Sequence, residues 1–223
     1  LLRNIFSSDA DILCLQEVDD FDDWWRPNLS QAGYDSIYHP RTTHLRPRQE
    51  GLVLAYKRDS FQMFRSNTLD FNDAVTPDIS DRNLAARALT DHGAIVVQLQ
   101  PWEMCDDPTG LLVCCAQQCE EPSLEAVRLL QTRYLVHKVE RFNQDFHLPV
   151  ILAGTLNVMP GGECYEVLTT GMTPVDPKVS ERKESGAFCG GSVRASEGAR
   201  AQRRCLFLAA EAGSLKEGVS FCG

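Results

Sequence analysis

The chain has 223 residues, 43% hydrophobic and 24% charged, which suits one large globular domain or two small ones. Its net charge of -9 excludes a generally basic nucleic-acid surface, so any polynucleotide has to be met locally. Nine cysteines, an odd number that includes the adjacent Cys114 and Cys115 and shows no CxxC or zinc spacing, read as reduced intracellular thiols and not as a metal module.

In chain order, Leu1 to Phe6 resembles the end of an amphipathic helix, with neither an initiator Met nor a signal-peptide layout. The domain is therefore expected to begin ahead of Leu1, and an organelle address stays open. Ser7 to Ala10 breaks this helix, and Ile12-Leu13-Cys14-Leu15 then runs apolar without alternation, as a strand covered on both faces does. Gly33 to Tyr38 and Gly51 to Tyr56 are further strands, separated by a basic loop. Arg41, Arg46 and Arg48, with His39 and His44, form the local cluster of potential positive charge in this acidic chain.

Gly93 to Leu99 and Leu111 to Ala116 read as a hairpin around the turn-rich segment 101–110. Ser123 is placed to N-cap a helix whose apolar residues, Leu124, Val127, Leu130, Tyr134, Val139, Phe142 and Phe146, recur near helical spacing. Leu148 to Ala153 is a short apolar strand closed by Gly154. Beyond Phe188 periodicity fades, apart from Cys205 to Ala210, and poor order is expected. No apolar run reaches membrane-spanning length, and no internal repeat is visible. Antiparallel strands mixed with a crossover helix point to an α/β sandwich and not to a doubly wound parallel sheet.

Four segments in order resemble the endonuclease/exonuclease/phosphatase superfamily, nearest its deadenylase, nocturnin and angel branch. They are Leu13-Cys14-Leu15-Gln16-Glu17-Val18, Glu50-Gly51-Leu52-Val53-Leu54-Ala55-Tyr56-Lys57, Phe71-Asn72-Asp73, and Gly154-Thr155-Leu156-Asn157-Val158-Met159-Pro160 with Tyr165 and Leu168. The resemblance implies an α/β fold of four layers, two packed mixed β-sheets flanked by helices. It covers residues 1–188, and it lacks the family's first strand and its C-terminal catalytic segment. Residues 189–223 are expected to be a diverged or poorly ordered tail.

The resemblance also implies a chemistry. In-line attack of water on a phosphodiester calls for Mg²⁺ on the phosphoryl oxygens, a group that orients or deprotonates the water, and donors for the developing charge. Glu17, at the end of a buried strand, corresponds to the family's metal ligand, and Asn157 to the amide that contacts the scissile phosphate or a metal-bound water. Thr155 stands where the family has an Asp base, and a neutral hydroxyl cannot accept a proton at pH 7. Gln117 stands where the family has a phosphate-contacting His, and it cannot carry positive charge. No histidine follows His147, so the family's terminal catalytic His has no counterpart. Arg41, Arg46 and Arg48 are expected to steer phosphate with planar donors.

The expected function is that of a Mg²⁺-dependent 3′-5′ exoribonuclease or nucleotide phosphodiesterase, catalytically impaired, in an intracellular and cytoplasmic setting. The alternative is a non-catalytic relative that keeps the fold to bind RNA or a protein partner. No membrane association is expected.

Overall fold

The computed structural model describes residues 2–42, 47–102, 110–171 and 206–208; the side chains of 42, 47–49 and 206–208 fall outside that description. Two sheets lie at its centre. The first is three-stranded, in the order β1-β3-β2, from β1 (Ile12–Val18), β2 (Tyr34–Thr42) and β3 (Pro47–Lys57). The second is five-stranded and runs β4 (Phe61–Asp70), β5 (Gly93–Pro101), β6 (Leu111–Gln117), β7 (Val150–Thr155) and β8 (Leu206–Leu208) from edge to edge.

Strand alternation sorts the apolar side chains into three packed layers. On β3, Leu52, Leu54 and Tyr56 face Ile95, Val97 and Leu99 of β5 and Val113 and Cys115 of β6, forming the core between the sheets. The intervening Val53 and Ala55 face the other way, onto Phe21, Trp25 and Leu29. Ala94, Val96, Cys114 and Ala116 likewise turn to the outer face of the second sheet, where Phe71 and Leu135 cover them. The outer layers are helical. α1 (Leu2–Ser7), a π-helical turn over Phe21–Trp25 and α2 (Arg26–Gln31) cover the first sheet, while α4 (Glu125–Asn143) covers the second and carries α5 (Glu163–Thr170) beside it. α3 (Arg82–Ala88) packs against α4 near its start, through Ala88 and Val127.

Several expectations are corrected. The sheets are not both mixed: the first is wholly antiparallel, and only the second combines antiparallel β4-β5-β6 pairing with parallel β6-β7-β8 pairing. Ser123 does not cap α4. Residues Pro122–Leu124 form a 3₁₀ turn, and both the Ser123 amide and its hydroxyl donate to Glu121 Oε1, at 3.4 and 3.0 Å. α4 ends at Asn143, whose side chain accepts from the Leu148 amide at 2.8 Å and turns the chain toward β7 before Phe146 could extend the helix. The basic stretch is not all loop, since Arg41 lies on β2 and Arg48 on β3, with Thr42 paired to Pro47. Arg46 and His44 lie outside the described residues, as does most of the segment 189–223.

Candidate active site

The site begins at an irregularity in β1. Regular alternation would send Glu17 toward the outer helices, but the β1–β3 register breaks between Leu15 and Val18 and Glu17 takes φ 56°. A bulge of this kind re-aims a side chain. Val18 takes the buried place among Phe21 and Trp25, and the Glu17 carboxylate crosses to the other sheet to accept from Gln117 Nε2 at 3.1 Å. Glu17 is exposed, whereas Gln117 is buried.

Gln117 closes β6, paired with Gly93 of β5 on one side and Thr155 of β7 on the other. The Thr155 carbonyl accepts from the Gln118 amide at 2.9 Å, and Asn157, with φ 53°, donates its side-chain amide to the Gln118 carbonyl at 3.0 Å. These two bonds lock the ends of β6 and β7 together, so that Glu17, Gln117, Thr155 and Asn157 share one end of the sandwich. The exit of β6 is held from behind by fully buried Gln131 of α4, which accepts from the Cys119 amide at 2.9 Å and donates to Thr90 at 2.8 Å.

Beside this row lies a small hollow lined by His39, Arg41, Asp91, His92, Gly93 and Gln117. The Arg41 side chain is only 11% exposed; its Nη1 meets Glu50 Oε1 at 3.2 Å, and its buried Nε has no hydrogen-bond partner among the described residues. Burial pushes the His39 imidazole pKa down, with the Asp70 carboxylate and the Leu69 carbonyl opposing that shift. Asp91, at φ 58°, is clamped by Asn72, which donates to its carboxylate at 2.7 Å and accepts from its amide at 3.1 Å. Thus Phe71-Asn72-Asp73 serves twice: Phe71 is core, and Asn72 fixes the turn that delivers His92 and Gly93.

Arg41 therefore stands beside Gln117, while the side chain of Arg48 and all of Arg46 lie outside the description. Asp91 and His92 belong to none of the motifs in the sequence, and His39 stands there only as part of a basic cluster. The pattern in the chain that pointed to them was faint: a polar Thr90-Asp91-His92 step ahead of an apolar strand.

Among the described residues, no group of three or more His, Cys, Asp or Glu side chains gathers as a metal cluster. Glu17 is the one carboxylate in the row, with the neutral side chains of Gln117, Thr155 and Asn157 at the same strand ends. Such a set fits Mg²⁺, which takes one or two carboxylates and completes its shell with waters and substrate phosphate. Thiol- or imidazole-preferring metals have no comparable set of donors here.

Residues 1–172 match the model of the family described as Endonuclease/Exonuclease/phosphatase. The chain is 29% identical over 196 residues to carbon catabolite repressor protein 4 homolog 2 of Arabidopsis thaliana, taking in 79% of this chain and 32% of that protein. It is 28% identical over 218 residues to the CCR4-Not complex 3′-5′-exoribonuclease subunit Ccr4 of Yarrowia lipolytica, over 77% of this chain and 29% of that one. Among solved structures, it superposes with a TM-score of 0.63 and 27% identity on ANGEL2, a 2′,3′-cyclic phosphatase, in complex with adenosine-2′,3′-vanadate, covering 76% of this chain and 46% of that one. The chain thus spans about a third of the length of these curated relatives.

Proposed function

The chain belongs to the endonuclease/exonuclease/phosphatase family, and we propose that it is an attenuated metal-dependent hydrolase acting on phosphate esters of RNA ends or nucleotides, as in the family's deadenylase, nocturnin and angel branch. The observation that supports this reading is the Glu17–Gln117 hydrogen bond, which joins two strand ends from different sheets beside Thr155 and Asn157. Catalytic groups drawn from separate strand termini can surround one reacting phosphate.

Each side chain has a definable task in this proposal. Glu17 would hold Mg²⁺, which when bound neutralises phosphoryl charge. Gln117 orients the Glu17 carboxylate and offers a donor that stays neutral at all working pH values. Asn157, pinned by Gln118, presents a short polar amide without adding a second negative charge. Arg41 supplies a planar, permanently charged fork to phosphate oxygens, and Arg46 and Arg48 are proposed for the same role. Thr155 can hydrogen-bond a water but cannot take its proton, so position 155 itself supplies no general base. General-base assistance is typically worth 10²–10⁴-fold.

An intracellular setting and an RNA or nucleotide phosphate substrate go with this reading, as does a protein partner of the kind that the name of the Yarrowia relative implies. No helix among the described residues is long and apolar enough to cross a membrane.

The test is incubation of the 223-residue chain with 5′-labelled oligoadenylate, with Mg²⁺ or with EDTA. Shortening that needs Mg²⁺ is the expected result. Tight binding without shortening in either buffer would instead favour a non-catalytic relative that retains the fold to bind RNA, the reading suggested by the residues at 155 and 117. Neither binding nor shortening removes RNA from the proposal altogether.

A further inference from the structure

We propose that His39 is the general base of this site, its imidazole taking from the attacking water the proton that Thr155 cannot take. The inference rests on the hydrolase reading above and adds a residue to it.

The ring's seat is set by a missing side chain. A Cβ on Gly93 would lie 2.7 Å from His39 Nε2, 3.0 Å from its Cδ2 and 2.4 Å from the Leu69 carbonyl oxygen, so the imidazole fills the space that a side chain at position 93 would need. Gly93 is the direct partner of Gln117 across the β5–β6 pair. Paired residues project from the same face of a sheet, one strand spacing or about 5 Å apart. The imidazole therefore stands next to the side chain that holds Glu17. It lines the same hollow as Gln117, and it is half-buried, neither sealed in the core nor loose in solvent.

The chemical state of the ring suits the task. Burial disfavours its charged form, so it is neutral near pH 7. A neutral imidazole carries one N–H and one nitrogen lone pair, and that lone pair is what a general base needs. The charged and titratable groups around it are Asp70 at the end of β4, Arg41 two residues along β2, and Asp91 and His92 before β5. Asp70 stabilises the imidazolium that forms as the proton is taken up.

The step balances without a further reactant. A water proton passes to the ring nitrogen as the water oxygen bonds to phosphorus, and the bond from phosphorus to the leaving ribose oxygen breaks. That oxygen takes a proton from solvent, and the imidazolium returns its own.

The test compares the 223-residue chain with His39→Ala and His39→Gln on 5′-labelled oligoadenylate in Mg²⁺. Both variants should lose about 100-fold or more in turnover while KM is held, as expected for a group acting only in the transition state. Added imidazole should raise the rate of His39→Ala and leave His39→Gln unchanged, because the glutamine fills the gap. In the unsubstituted chain, the ¹³C-labelled His39 ring resonance should move when adenosine monophosphate and Mg²⁺ are added. That measurement decides the matter even if neither variant folds, since a stationary resonance overturns the proposal. Variants that turn over at the rate of the unsubstituted chain overturn it too, and leave the hydrolase reading standing. An unsubstituted chain that binds oligoadenylate without hydrolysing it removes the hydrolase reading, and the base with it.

Discussion

Alanine at Glu17 is expected to leave the fold intact and to cost on the order of 10³-fold in kcat/KM for Mg²⁺-dependent hydrolysis, about 4 kcal/mol of transition-state stabilisation. The fold should survive because Glu17 is exposed and its side chain is tied to the described residues by the hydrogen bond to Gln117. The chemistry should not, because no other carboxylate stands in the row formed with Gln117, Thr155 and Asn157. Loss of residues that merely support metal ligands costs 10–100-fold, and loss of the ligand itself should exceed that. Glu17→Gln separates charge from shape, since it keeps an acceptor for Gln117 while removing the negative charge. Similar losses in both variants would locate the effect in the charge. Hydrolysis by Glu17→Ala within tenfold of the unsubstituted chain would mean that the metal is held elsewhere and would undo the assignment of the site.

The largest effect on stability should come from Gly154. An alanine Cβ there would lie 1.9 Å from the Ala116 carbonyl oxygen and 2.9 Å from its carbonyl carbon and amide nitrogen, and φ at this position is +126°. All three obstacles are backbone of the neighbouring strand, so no rotamer change relieves them, and the dihedral itself is one that side chains rarely adopt. Gly154→Ala is therefore expected to destabilise the chain by more than about 4 kcal/mol, in the range of severe core lesions. Urea unfolding followed by circular dichroism measures it, and soluble yield should fall in parallel. A midpoint near that of the unsubstituted chain would contradict the close approach of β6 and β7. Because Gln117 and Thr155 sit one step further along the same two strands, a partly folded variant should also lose substrate binding.

Legibility in the sequence followed burial. β1, β3, β5, β6, β7 and α4 announce themselves because each is apolar on both faces or periodic over many residues, as at Leu52 to Tyr56 or along Val127 to Leu135. β4 does not, since it is an edge strand whose residues Met63 and Phe64 face solvent and whose register slips between Met63 and Arg65. Its partners are distant: Arg65 lies over the Phe142 and Phe146 rings and donates to the Phe142 carbonyl at 2.6 Å. α2, α3 and α5 are six to eight residues long, too short for a helical period to stand out. For the proposed site, Glu17, Gln117, Thr155 and Asn157 were legible as candidates through the order of their motifs. The re-aiming of Glu17 was not, because a bulge with positive φ at a glutamate leaves no mark in composition. Nor was the approach of His39 to Gly93, a meeting of two residues fifty-four positions apart that depends on the absence of a side chain.

The alternation of β6 leaves Cys114 buried under the α4 layer and Cys115 buried between the sheets. Burial raises the Cys114 pKa, and a protonated, enclosed thiol is slow toward alkylating reagents. Adjacent in the chain, the two thiols thus report on different seams of the molecule. Alkylation read by mass spectrometry during mild denaturation would mark Cys114 when the helical cover lifts and Cys115 when the sheets part. The order in which they react is a record, written into a dipeptide, of which half of the sandwich opens first.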